Sequence, residues 1–177
     1  MAISLYDVSV SSYLQGLEGV DGFLAKGLTW CQETGTDPET VVDARLFEDM
    51  LPFRFQILQV VRHSVGAIEA VKSGSLSFAR DHTPHEYGAL QQKVAEARAH
   101  LAALTREEVD AREGHEVLID TPGNRRLLTT ENFILSFSMP NFHFHAATAY
   151  DILRHKGVPV GKRDFMGPLR LKAVLEG

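Results

Sequence analysis

Apolar residues recur at spacings of three and four in four separate stretches of the chain, the period of a helix with one buried side. In the first stretch, 5–35, Leu14, Leu17, Val20, Leu24, Leu28 and Cys31 form the stripe, and Gly35 reads as its stop signal. A short turn follows at Thr36-Asp37-Pro38-Glu39, with Asp37 as cap and Pro38 at the first helical position. The second helix is predicted from Asp49, with Pro52 in its first turn, to Gly74. On it Gln56, Val60, His63 and Ala67 share a face, bordered by Leu58, Val61, Val65 and Ile68. The polar run 75–82 reads as a loop, and Thr83-Pro84-His85-Glu86 is a capping box that opens the third helix. Its stripe is Tyr87, Leu90, Val94, Ala97, Leu101 and Leu104, and the charged run 105–114 reads as a solvated connection.

Between 116 and 129 the pattern changes. VLIDT and RRLLT flank Pro122-Gly123-Asn124, which predicts a two-stranded hairpin that leans on the helices for stability. The fourth helix, 130–157, places Ile134, Phe137, Asn141, His145, Thr148 and Ile152 on one side. Pro140 removes the amide that would bond the Ser136 carbonyl, so a kink is expected there. Past Gly157, glycines and prolines recur every few residues, which predicts an ordered tail packed on the helices or on a partner chain. Lys162, Arg163 and Asp164 offer ion pairs to pin it. Four long helices and no internal repeat predict an all-α fold, a four-helix bundle in one domain over 1–177.

Composition narrows the function classes. With 44% apolar and 23% charged residues the chain resembles an ordinary globular protein, and a net charge of -5 argues against a nucleic-acid surface. No apolar segment is long enough to span a membrane and no signal peptide is evident, so a cytoplasmic protein is expected. Cys31 is the only cysteine, which excludes an internal disulfide and fits a reducing compartment. Closing an apolar stripe, it reads as a small buried hydrophobe rather than a nucleophile. Gly-rich phosphate loops, nucleophile elbows and HExxH pairs are all absent from the sequence.

What remains is a polar constellation on apolar helices: His63 with Gln56 on the second, Asn141 with His145 on the fourth. Asn141 and His145 are four residues apart and so lie one turn above the other. Imidazole and carbonyl oxygen facing into a bundle core suit a divalent ion, zinc or nickel first, and three protein ligands leave a position open for water or substrate. His63, His145 and Asn141 are the candidate ligands and catalytic groups, with Gln56 and Tyr150 as candidates for holding a cofactor or small-molecule ligand. The alternative is that these groups hydrogen-bond one another and set the packing of a metal-free binding or structural protein. Some partner is required either way, because an unsatisfied buried polar group costs about 1–3 kcal/mol. His143 lies about 160° round the helix from His145 and belongs to a different face.

The run PNFHFHAATAYDILRHKGVPVGKRDFMG, with SLYDVSV near the start and ARLFEDMLPFRFQ before His63, resembles an uncharacterised branch of the DinB/YfiT-like metalloenzyme superfamily. The resemblance covers Ser4 to about Gly167, and GKRDF is its most specific part. It implies a DinB-like four-helix bundle with up-down-down-up connectivity that often forms a homodimer. It also implies a divalent metal, commonly nickel or zinc, held by a histidine of helix two and an H-x-x-x-H pair of helix four. Characterised relatives are S-transferases or isomerases that use low-molecular-weight thiols. His63 matches the helix-two position and His145 the second histidine of the pair, while Asn141 stands where the first would be.

Overall fold

In a computed structural model, which describes residues 3–77, 85–121 and 123–173, the chain is mostly helical with one small sheet. Ser4 caps a first turn, α1 (Leu5–Val8), and Ser9 breaks it: its backbone leaves the helical region and its hydroxyl donates to the Leu5 carbonyl at 2.6 Å. The single first helix expected from 5 to 35 is therefore two, α1 and α2 (Val10–Thr34). Gly35 does end α2, at φ +67°, a conformation open to glycine without a Cβ penalty. The expected cap is shifted by one residue: Pro38 is itself the N-cap of α3 (Glu39–Val42) rather than its first residue, and Asp37, one residue earlier, accepts the Glu39 amide at 3.0 Å.

The second rod starts at Phe53, not Asp49. Pro52 is extended and precedes the first turn. The rod consists of α4 (Phe53–Val61), a π-helical segment π1 (Arg62–Gly66) and α5 (Ala67–Ser73). The next residues, read as loop, form a strand instead: β1 (Ser75–Ser77) pairs in parallel with β2 (Glu116–Thr121), and β2 pairs antiparallel with β3 (Asn124–Thr129). The expected hairpin is thus two-thirds of a three-stranded sheet, which corrects the all-α reading. Leu76, Val117 and Ile119 are buried beneath it, a gain in apolar contact that a three-residue polar segment conceals in the sequence. Of the Pro122-Gly123-Asn124 turn, Pro122 lies outside the described residues.

The Thr83-Pro84-His85-Glu86 box also lies partly outside them. The third rod, α6 (Tyr87–Ala102), begins with a cap from far along the chain: the Tyr87 amide donates to the Glu39 carboxylate at 2.9 Å. The charged connection carries α7 (Arg106–Asp110), held by a Thr105–Glu108 capping box and anchored by the buried Val109. The fourth rod comprises α8 (Thr130–Asn132), π2 (Phe133–Ser138) and α9 (Met139–His155). The irregularity demanded by Pro140 takes the form of π2, where the Met139 amide reaches back five residues to the Ile134 carbonyl. Pro140 then sits in the first turn of α9, where a missing amide costs little.

Each of α2 and α4 packs against both α6 and α9. The tail does fold back: α10 (Lys162–Met166) lies on α2. Asp164 pairs with Lys26 at 2.7 Å and accepts the Gly161 amide at 2.8 Å, while Lys162 and Arg163 stay exposed. The contact is close because Gly19 has no side chain; a Cβ there would meet the Phe165 carbonyl at 2.5 Å and the Asp164 carbonyl at 3.0 Å. Gly19→Val is expected to lift α10 from α2 and to expose the bond after Lys162 or Arg163 to trypsin. Limited proteolysis reads this directly, and an uncut tail in the variant would contradict it.

Candidate functional site

Two π segments face each other across the packed rods. Such segments leave backbone groups out of the regular ladder and often mark functional positions. Here the Ser138 hydroxyl, at the end of π2, donates to the His63 carbonyl in π1 at 2.8 Å. The Tyr13 hydroxyl of α2 donates in turn to Ser138 at 2.8 Å. All three residues are buried. Burial pushes the Tyr13 phenol far above its ordinary range, so it remains a donor. This chain fixes the height of His63 on its rod.

His63 and His145 meet. Their rings are stacked, with centroids 5.8 Å apart and planes 12° from parallel. His145 Nδ1 lies 2.8 Å from Gln56 Oε1, and Gln56 donates its amide nitrogen to the Leu51 carbonyl at 2.8 Å. That second bond orients the carboxamide so that its oxygen accepts from His145, which puts the proton on Nδ1 and leaves Nε2 with a free lone pair. Among the described residues no hydrogen bond engages the His63 ring nitrogens, and no buried side-chain nitrogen is sealed without a partner, so they reach open space.

Aromatic side chains wall the pair. Phe137 meets His63 edge-on at 5.5 Å, while Phe55 and Phe144 meet His145 edge-on at 5.9 and 5.2 Å. Burial, then the neighbouring His145 and Arg62, lowers the His63 pKa to about 4. Burial lowers that of His145 to about 4 as well. Both rings are therefore neutral near pH 7, as a metal ligand or hydrogen-bond acceptor must be. Asn141 is half-buried one turn before His145 and donates its amide nitrogen to the Phe137 carbonyl of its own helix at 2.7 Å; among the described residues its carboxamide oxygen has no hydrogen bond.

Two candidate residues sit elsewhere than on the open side of this pair. Gln56 stands behind His145 and positions it. Tyr150 packs edge-on against Phe165 of the tail at 5.8 Å. His143 faces away, as its helical angle implies, and lines two surface cavities. Cys31 is buried, and burial raises its pKa, so it behaves as a core residue. Ser138 and Tyr13 were not singled out in the sequence, although a serine between Phe137 and Met139 is a polar group that must find a partner.

The donor set suits a borderline divalent ion: two neutral imidazoles, one with its second nitrogen tied to an amide oxygen, and a spare carboxamide oxygen. Metal–nitrogen bonds of about 2.0–2.1 Å put the centroids of two ligating rings roughly 5–6 Å apart, the spacing of this pair. Imidazole lone pairs lie in the ring plane, however, so rings stacked 12° from parallel must turn before a nitrogen of each meets one ion. Among the described residues no group of three His, Cys, Asp or Glu gathers, so the third ligand from the protein would be Asn141.

The model of a family described as a domain of unknown function, DUF1993, matches residues 5–166. A solved structure of a DinB family member from Shewanella denitrificans superposes with a TM-score of 0.82 over 96% of each chain at 24% identity. A DinB-like protein from Bacillus subtilis superposes with a TM-score of 0.57, over 84% of this chain and 91% of its own, at 15% identity. No curated protein matches the chain.

Proposed function

The chain belongs to the DUF1993 family of DinB-like proteins, and from that premise we propose that it is a divalent-metal-dependent enzyme acting on a small organic molecule, of the thiol S-transferase or isomerase type. The observation that carries this reading is the stacked pair of neutral imidazoles with the His145 Nε2 lone pair held free by Gln56. His63, His145 and Asn141 would hold zinc or nickel. A bound divalent ion supplies Lewis acidity, lowering the pKa of a thiol or water brought to it. Gln56 keeps His145 in the ligating tautomer, and the Tyr13–Ser138 chain keeps His63 level with it. Phe55, Phe137 and Phe144 exclude water and offer an apolar surface to the substrate. The contacts of α2 and α4 with both α6 and α9 support a DinB-type bundle of these four rods, and up-down-down-up connectivity is proposed for it from the family likeness.

In chelator-treated protein, zinc or nickel at about 100 times its Kd should add about 2.7 kcal/mol of stability, read as a rise in Tm. His63→Ala and His145→Ala should abolish the rise. An unchanged Tm with either ion in the parent protein would overturn the reading. A metal-free small-molecule site is the second reading, favoured by the amide at position 141 where a histidine would complete a three-imidazole set. It predicts stabilisation by a small-molecule panel with chelator present, lost in the same two variants.

A further inference from the structure

Two cavities meet at His143, on the other face of α9 from the histidine pair. One, of about 490 Å³, lies between α1, α2, π2 and the tail; the other, of about 290 Å³, runs on towards Phe165 and Met166. The larger is in the size range of small-molecule pockets, roughly 300–1,000 Å³. Its walls are Val8, Leu135 and Met139, with Ile3 at the rim. Leu135 and Ile3 are 54% and 76% exposed, so apolar surface is left facing solvent there.

The polar groups of this cavity are Asp7, Ser12, His143 and Arg170. Asp7 is already matched: its carboxylate accepts from Arg106 at 2.7 Å and from the Ser4 amide and hydroxyl at 3.3 Å. Ser12 donates to the Asp7 carbonyl at 3.2 Å. Arg170, on the tail, reaches only that same backbone carbonyl, at 3.4 Å, so its charge has no counter-ion among the described residues. The His143 ring is likewise without a hydrogen bond among them. The cavity thus carries one unmatched positive charge, one free imidazole and an apolar wall.

The geometry points to a second small-molecule site here, one that takes an amphipathic monocarboxylate, its carboxylate on Arg170 and His143 and its apolar body on Val8, Leu135 and Met139. A planar guanidinium pairs with a carboxylate through two parallel bonds. A single unmatched cation calls for a single negative charge.

Octanoate is the probe, with octan-1-ol and octylammonium as charge controls, followed by calorimetry and by the imidazole resonances of His143. Octanoate should bind, shift the His143 signals, and bind at least about tenfold tighter than either control. Arg170→Gln, at an exposed position that leaves the fold intact, should weaken octanoate about tenfold. His145→Ala should leave it unchanged, so failure here is distinct from failure of the metal reading. No octanoate binding, equal binding of the alcohol, an unaltered affinity in Arg170→Gln, or loss in His145→Ala would each overturn the assignment.

Discussion

Lowering the pH from 7 to 4 should destabilise the chelator-treated protein by on the order of 3 kcal/mol for His63, and by somewhat less for partly exposed His145, where solvent screens part of the effect. The sign follows from the direction of the shifts. Both folded-state values are lowered to about 4, from 6.5 for an ordinary histidine. Between those limits the unfolded chain takes up protons that the folded one refuses. Stability is therefore full above 6.5, falls as the pH drops, and stops falling on this account below about 4. Asp7 is separable: its carboxyl, lowered to about 2 chiefly by Arg106, loses its contribution only as the pH falls from 3.8 towards 2. Urea unfolding followed across pH in the parent and in a His63→Gln/His145→Gln variant isolates the pair, since the variant should show a flatter profile between 6.5 and 4. Identical profiles would show that the rings are not held neutral by burial.

The second large effect is expected at Phe142, which is fully buried, meets Tyr13 edge-on at 5.3 Å and lies against the backbone of α2. Removing its ring opens a cavity beside a residue with no side chain to fill it, so Phe142→Ala should cost about 3–5 kcal/mol. The partner is Gly16. A Cβ added there would stand 2.5 and 2.7 Å from two atoms of the Phe142 ring. Gly16→Ala alone should therefore destabilise by overpacking, about 1–3 kcal/mol. With Phe142→Ala in place the same methyl has room and adds helix propensity, so its sign should reverse. A double-mutant cycle from urea denaturation measures this coupling, and simple additivity would contradict the packing described.

The four rods were legible because their apolar spacing is helical for many turns, and the pairing of His63 with His145 followed from placing each on its inward face. The stripe of α2 was read one residue off in part: Tyr13 is fully buried while Leu14 and Leu28 are only partly so, because a phenol with a buried partner counts as core. The parallel strand at 75–77 was hidden because its alternation spans three residues and its partner lies 43 residues on, Ser75 opposite Leu118. The π segments were hidden for another reason. Pro140 called for a break in the fourth rod but not for its form as a π segment, and π1 contains no proline to announce it. Gln56 was placed beside the site by its angle, but its work of orienting His145 shows only once the Leu51 carbonyl is seen to hold its other end.

The most direct test of the central claim is anomalous diffraction at the zinc and nickel edges from crystals of protein purified without a histidine tag and soaked in either ion. A single peak within bonding distance of His63 and His145, about 2.0–2.1 Å from a nitrogen of each, is the predicted result. Density at surface histidines only, with nothing between these two rings, would contradict it.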